Sequence, residues 1–312
     1  MAIFAFLARH GRLLLIAGLV AGAASPSLAQ MFRSLIAPLI IGLLFLAVLR
    51  LGPDGLIAGM RGLHRAALLA FLLQMALPLA AAGTFAAFGV LAHPLAAGTV
   101  LVLAAAPITG SPNITLMVGG DPAPALRQLV IGTALLPLTV VPVFMVMPAF
   151  GSPQAVVRAA LELLGLIALA GGVALALRRF EIVSGTARSF AVMDGTAALL
   201  MGLVVIGLMS AIGPAFASDR AAFFSALAVA FLINIPLQLI GSLLAARRQP
   251  HTAPAMGIAA GNRNAALFLS VLPTTTIDEL LLFIGCFQIP MYLTPILLSG
   301  WFRRLANRKQ PE

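Results

Sequence analysis

Apolar residues fill this chain in runs of roughly one membrane thickness, and two of those runs are broken at matching places. Crossing the hydrocarbon takes about 20 mostly apolar residues. Runs between charged or turn-rich gaps predict ten helical segments, at about 11–28, 35–50, 65–90, 95–118, 124–149, 156–178, 188–212, 220–246, 254–272 and 277–301. The 65–90 run is long and is expected to tilt or to bend at Pro78. The fourth run contains Ala106-Pro107-Ile108-Thr109-Gly110-Ser111-Pro112-Asn113, and the ninth contains Gly257-Ile258-Ala259-Ala260-Gly261-Asn262-Arg263-Asn264. In hydrocarbon every backbone N–H and C=O needs a partner, so broken helix survives only against protein or a wet cavity. Paired interrupted spans in the two halves of a chain point to the binding site of a secondary transporter. Ser111, Asn113, Asn262, Arg263 and Asn264 are therefore expected to bind substrate or ion.

The halves also share a proline pattern. Gly132, Pro137 and Pro142 of the fifth segment match Gly285, Pro290 and Pro295 of the tenth, all offset by 153 residues. Pro78 and Pro236 each sit mid-helix in the segment before the interrupted one. Five spans is an odd number, so a second copy enters the membrane upside down. The expected fold is all-α and integral to the membrane, with ten transmembrane helices in two inverted five-helix repeats, 1–150 and 151–312. Halves of equal geometry can exchange conformations and pass a substrate bound between the breaks from one side to the other.

Composition agrees and narrows the class. The chain is 61% apolar and 9% charged, with too little polar surface to coat soluble domains. Its net charge of +10 is almost wholly arginine scattered through short loops, which argues against nucleic acid as a partner. The single cysteine, Cys286, excludes an internal disulfide. No metal-ligand spacing links His10, His64, His93 and His251. With the N-terminus inside, Arg9, Arg12, Arg50, Arg61, Arg65, Arg127, Arg178, Arg179, Arg188, Arg247, Arg248, Arg303, Arg304, Arg308 and Lys309 face the cytoplasm. Only Arg33, Arg158 and Arg220 face outward, and this bias places both termini inside a bacterial inner membrane. Arg9, Arg12, the apolar run 13–24 and Ser27-Leu28-Ala29 resemble a signal peptide, but a first membrane helix fits the topology better.

A few polar residues within the spans remain. Arg263 lies mid-segment, where a charge costs at least about 2.5–3.5 kcal/mol, so it is a functional candidate. The plainer alternative is an internal ion pair with Asp194, itself a possible proton-coupling carboxylate or a helix-start residue. Glu162 is placed to pair with Arg158 four residues earlier. Asp121 is expected to cap a turn, and Asp278-Glu279 to open the tenth segment. Asn234 and Gln238, either side of Pro236, line a cavity or bond to a neighbouring helix.

These residues resemble the bile acid:sodium symporter family over nearly the whole chain. The resemblance is carried by Gly110-Ser111-Pro112-Asn113 followed by Gly120-Asp121, by Gly261-Asn262-Arg263-Asn264, and by Gln74 ahead of Pro78. It implies ten spans, two crossing broken helices and sodium-coupled uptake of bile-acid-like or smaller carboxylated solutes. It also implies sodium ligands at Asn113, Thr133 and Gln74. The chain departs from the family where Ala259 replaces an acidic residue, Arg263 a glutamine, and Pro112 and Leu129 serines. Loss of that carboxylate beside a new guanidinium should repel Na⁺, a hard cation that wants oxygen ligands. Arg263 is then expected to stand in for a coupling ion and to hold a substrate carboxylate or sulfonate in a forked pair. The expected function is an organic-anion carrier working by alternating access, with no organic cofactor and the lipid bilayer as its surroundings. A channel, a sensor or a sodium symporter with rearranged ligands are the alternatives, and no catalytic cluster suggests an enzyme.

Overall fold

The computed structural model describes residues 2–59 and 62–307; Arg61, Arg308 and Lys309 of the loop-charge argument lie outside the described residues. Its helices are α1 (Ala2–Arg9), α2 (Gly11–Ala24), α3 (Pro26–Arg33), α4 (Ile36–Gly59), α5 (Leu63–Phe71), α6 (Leu77–Ala87), α7 (Pro94–Ala104) and α8 (Ser111–Met117). There follow α9 (Pro122–Met145), α10 (Pro153–Arg179), α11 (Ala187–Leu208), α12 (Ile212–Ser218), α13 (Arg220–Ala246), α14 (Ala253–Gly261), α15 (Thr274–Leu297) and α16 (Ser299–Ala306). Among the described residues seven helices, counting α5–α6 and α11–α12 as single spans, are long and apolar enough to cross a membrane. The chain is an all-α, multi-pass membrane protein.

Proline and glycine set where helices bend or stop. The first expected segment is divided: α1 and α2 meet at 81°, and Pro26 starts a separate α3. These helices lie against α11 at near-contact distance, because a Cβ on Gly195 would fall 2.3 Å from the Phe4 carbonyl oxygen and one on Gly18 2.8 Å from that of Gly202. α4 extends beyond its expected end through a kink at Gly52, whose φ of 67° suits glycine and which precedes Pro53. Between α5 and α6 the chain widens into a π-helical turn, Leu72–Ala76, just before Pro78.

The expected cap and the expected i,i+4 pair hold, and one helix start moves. Asp121 accepts a hydrogen bond from the Ala123 N–H at 2.9 Å and caps α9. Arg158 donates to Glu162 at 2.8 Å as an i,i+4 pair. The tenth segment begins earlier than expected: Pro273 precedes α15, so Asp278 falls in its second turn and pairs there with Arg33.

The core lies around the interrupted segments. Every residue of α7 from Ala96 to Ala104 is buried, as is nearly all of α14. Phe144, Phe268 and Phe287 fill the space beside them. Enclosure of this kind is what broken backbone requires within a membrane protein.

Candidate functional site

The two breaks meet. The first runs from Ala105 to Gly110 between α7 and α8, the second from Asn262 to Asn264 after α14. Ile108 N–H donates to the Asn262 carbonyl at 2.9 Å, and Asn264 N–H donates to the Ala106 carbonyl at 2.7 Å. Pro107 and Arg263 are therefore the directly opposed pair of a short antiparallel bridge. In that register both bonds come from flanking residues, so Pro107, which has no N–H, leaves no bond unmade.

Arg263 is 1% exposed. Its Nη1 donates to the Ala259 carbonyl at 3.2 Å, and Nη2 donates to those of Leu103 at 2.8 Å and Leu73 at 3.1 Å. The sequence explains why these oxygens are available. Residue 107, whose N–H would bond Leu103 in a continuous helix, is proline. At the π-helical turn Leu77 N–H bonds to Leu72, and the partner in that register for Leu73 would be Pro78, again without an N–H. Ala259 sits in the last turn of α14, where carbonyls lose their intrahelical partners. One guanidinium thus gathers carbonyls from two half-helix C-termini and one π turn. Such ends carry partial negative charge that a cation stabilises.

This geometry amends the expected role of Arg263 twice. Its terminal nitrogens already engage carbonyls, so the forked clamp on a substrate is not free in this conformation. Its partner is also not Asp194, which accepts from Arg50 at 2.8 Å. The other ion pairs among the described residues, Arg33–Asp278 and Arg158–Glu162, do not involve Arg263 either. The guanidinium is surrounded by dipoles, and among the described residues no carboxylate pairs with it. Its Nε–H is buried and has no hydrogen-bond partner among the described residues. Arg263 lines a crevice of about 20 Å³ with Thr109, Asn264, Gln288 and Tyr292, room for a single water.

The remaining candidates fall in three places. Asn262 joins a buried network: Asn234 Nδ2 donates to the Gly261 carbonyl at 2.9 Å and to Asn262 Oδ1 at 3.0 Å. Gln238 Nε2 donates to Asn234 Oδ1 at 2.6 Å and to Thr294 Oγ1 at 2.9 Å. Asn234 and Gln238 therefore brace the second break. Beside the first break, buried Gln74 accepts from Thr139 Oγ1 at 3.2 Å, and its Nε2 lies 2.5 Å from where a Cβ on Gly132 would be. Ser111 is fully buried with its hydroxyl unpartnered. Asn113, on α8, is exposed. Thr133 faces a different space, an apolar cavity of about 270 Å³ between α4, α9 and α10. Thr109 lines both this cavity and the crevice at the crossing.

Leu73, Leu103 and Thr294 were not singled out from sequence. A signal for the first two exists, a proline four or five residues after a carbonyl that would otherwise be bonded in the helix. No protein-family model matches the chain, and no curated protein matches it.

Proposed function

We propose that this protein is a secondary transporter that moves a small organic anion by alternating access. In this reading it is a member of the bile acid:sodium symporter family, built as ten spans in two inverted repeats with both termini in the cytoplasm. The observation that carries the proposal is the meeting of two broken segments at a buried Arg263 that has three carbonyl partners and, among the described residues, no ion-pair partner. Broken backbone inside a membrane protein is tolerated where it lines a substrate path. An antiparallel bridge has local two-fold symmetry, as an inverted repeat would require at its centre. The positive charge favours an anion beside Arg263 Nε–H, Asn264 and Gln288, where the crevice holds one water in this conformation and has to widen in the transport cycle to admit the substrate.

Coupling to sodium does not follow from these residues. Carbonyls that could coordinate a metal cation instead hold a tethered guanidinium, so the permanent charge is supplied by the chain. Asp194, paired with Arg50 and 39% exposed at its side chain, is not placed to couple protons at the crossing. Counterflow in proteoliposomes tests the proposal. Loading with unlabelled carboxylates or sulfonates should drive saturable accumulation of the labelled anion, equally in Na⁺ and choline buffers. Non-saturating flux would indicate a channel, and strict dependence on Na⁺ would overturn the tethered-charge reading.

A further inference from the structure

The last described helix is short, amphipathic and anchored. Leu298, with φ −113° and ψ 1°, ends α15 and leads into α16. Leu298, Phe302 and Leu305 are buried, at the i, i+4, i+7 spacing of one helix face. Gly300, Arg303, Arg304 and Asn307 are exposed, at the i, i+3, i+4, i+7 spacing of the other. α16 packs where α13 ends and α14 begins, against both helices and the 3₁₀ turn Pro250–Thr252 between them. Phe302 is fully buried, and its ring carbon Cε1 lies 2.8 Å from where a Cβ on Gly257 would sit, so glycine in α14 makes the room for it. Trp301, half-buried, donates from Nε1 to Ser242 Oγ at 3.0 Å. These contacts fix which way the polar face of α16 points.

That face is cationic. Arg303 and Arg304 stand in the last turn of α16, and exposed Arg247 is the residue that ends α13. Arg248 and His251 are exposed in the same connection. The ion pairs among the described residues lie elsewhere, at Arg33–Asp278, Arg50–Asp194 and Arg158–Glu162, and include none of these arginines. α13 is long and apolar enough to span, so its end at Arg247 marks the edge of the hydrocarbon. Tryptophan settles at the headgroup level of a bilayer, and guanidinium groups make forked, charge-assisted bonds with phosphate. A zwitterionic headgroup supplies its own cation, whereas an anionic one does not. Guanidinium groups without a carboxylate partner at that level therefore select the anionic headgroup.

We propose that α16 and the adjoining end of α13 form a binding surface for the headgroup of an anionic phospholipid, with Arg303 and Arg304 as its principal contacts. The surface is separate from the crossing, and its occupancy does not depend on transport. Trp301 is the single tryptophan of the chain and reports on this helix directly. Full-length protein is reconstituted in phosphatidylcholine vesicles containing increasing fractions of dibrominated phosphatidylglycerol or dibrominated phosphatidylcholine, and quenching of Trp301 fluorescence is measured. In wild type the relative affinity of phosphatidylglycerol over phosphatidylcholine at Trp301 should be about fivefold or more, the scale of one basic residue at an anionic surface. Arg303→Gln with Arg304→Gln should bring that ratio to about one. Arg179→Gln with Arg188→Gln, exposed arginines away from α16, should leave it unchanged. Equal quenching by the two brominated lipids in wild type would overturn the proposal. So would an equal fall of the ratio in both double variants, which would mark a diffuse surface potential in place of a site. Inorganic phosphate that relieves the quenching by brominated phosphatidylglycerol where chloride of equal ionic strength does not would assign the surface to free phosphate, and would also overturn it. Counterflow at the crossing is scored separately, so failure here leaves the transport reading standing.

Discussion

Replacing Arg263 by methionine isolates the part of its role that depends on charge and hydrogen bonding. Methionine keeps much of the length and apolar bulk but leaves the carbonyls of Leu73, Leu103 and Ala259 without their donor. Each orphaned buried acceptor costs roughly 1–3 kcal/mol, so the gross loss is about 3–9 kcal/mol. Removing a buried guanidinium returns several kcal/mol of desolvation, which leaves a net destabilisation of about 2–5 kcal/mol. At a few degrees per kcal/mol for a chain of this class, the midpoint should fall by roughly 5–15 °C. The protein contains its own reporter, because Cys286 is its single cysteine and is fully buried. A thiol-reactive fluorophore therefore follows unfolding in detergent. Arg263→Lys retains the charge and three donors on one nitrogen, and its midpoint should lie between wild type and Arg263→Met. A methionine variant as stable as wild type, or more stable than the lysine variant, would refute the claim that the guanidinium organises the crossing.

Other consequences concern the same network and its supports. In Arg263→Ala the vacated carbonyls should accept a free cation, so guanidinium or Na⁺ at tens of millimolar should raise the midpoint more than choline does; equal effects of all three would argue against a cation site. Gly261→Ala would put a methyl 2.2 Å from Gln238 Cγ and 2.6 Å from the Asn234 carbonyl oxygen, and should cost about 1–3 kcal/mol. Gly165→Ala, which meets open space, is its control, and matching midpoints for the two would contradict the packing described. Gly195→Ala should likewise lower the midpoint by wedging α1 from α11, an effect that should vanish if residues 2–9 are deleted.

Segment positions were largely legible because hydropathy reports burial in lipid directly, and prolines mark where backbone bonds must be absent. The interruptions at Pro107 and at Gly261-Asn262 appear where the sequence places them. That they touch, in a register that spares Pro107, is a long-range fact carried by no local pattern. The partners of Arg263 were invisible for a related reason: all are main-chain oxygens, and residue type says little about which carbonyl is free. Asn113 shows the same limit, since proximity to a break along the chain did not indicate that its side chain is exposed on a short helix. Asn234 and Gln238 could be read either way from sequence, and only the facing Thr294 and Asn262 decide for bracing. The seven long helices among the described residues follow from length and composition, whereas how they pack depends on contacts that hydropathy does not encode.

The central claim is that the crossing is opened to each side in turn. Asn264, partly exposed in the crevice, can carry a probe as Asn264→Cys in a Cys286→Ser background. Labelling with a membrane-impermeant thiol reagent is then timed in right-side-out and in inverted vesicles, with and without a transported anion. The account predicts labelling from both faces, with the anion slowing one rate as it speeds the other. Reactivity from a single face only, unmoved by any anion that shows counterflow, would contradict it.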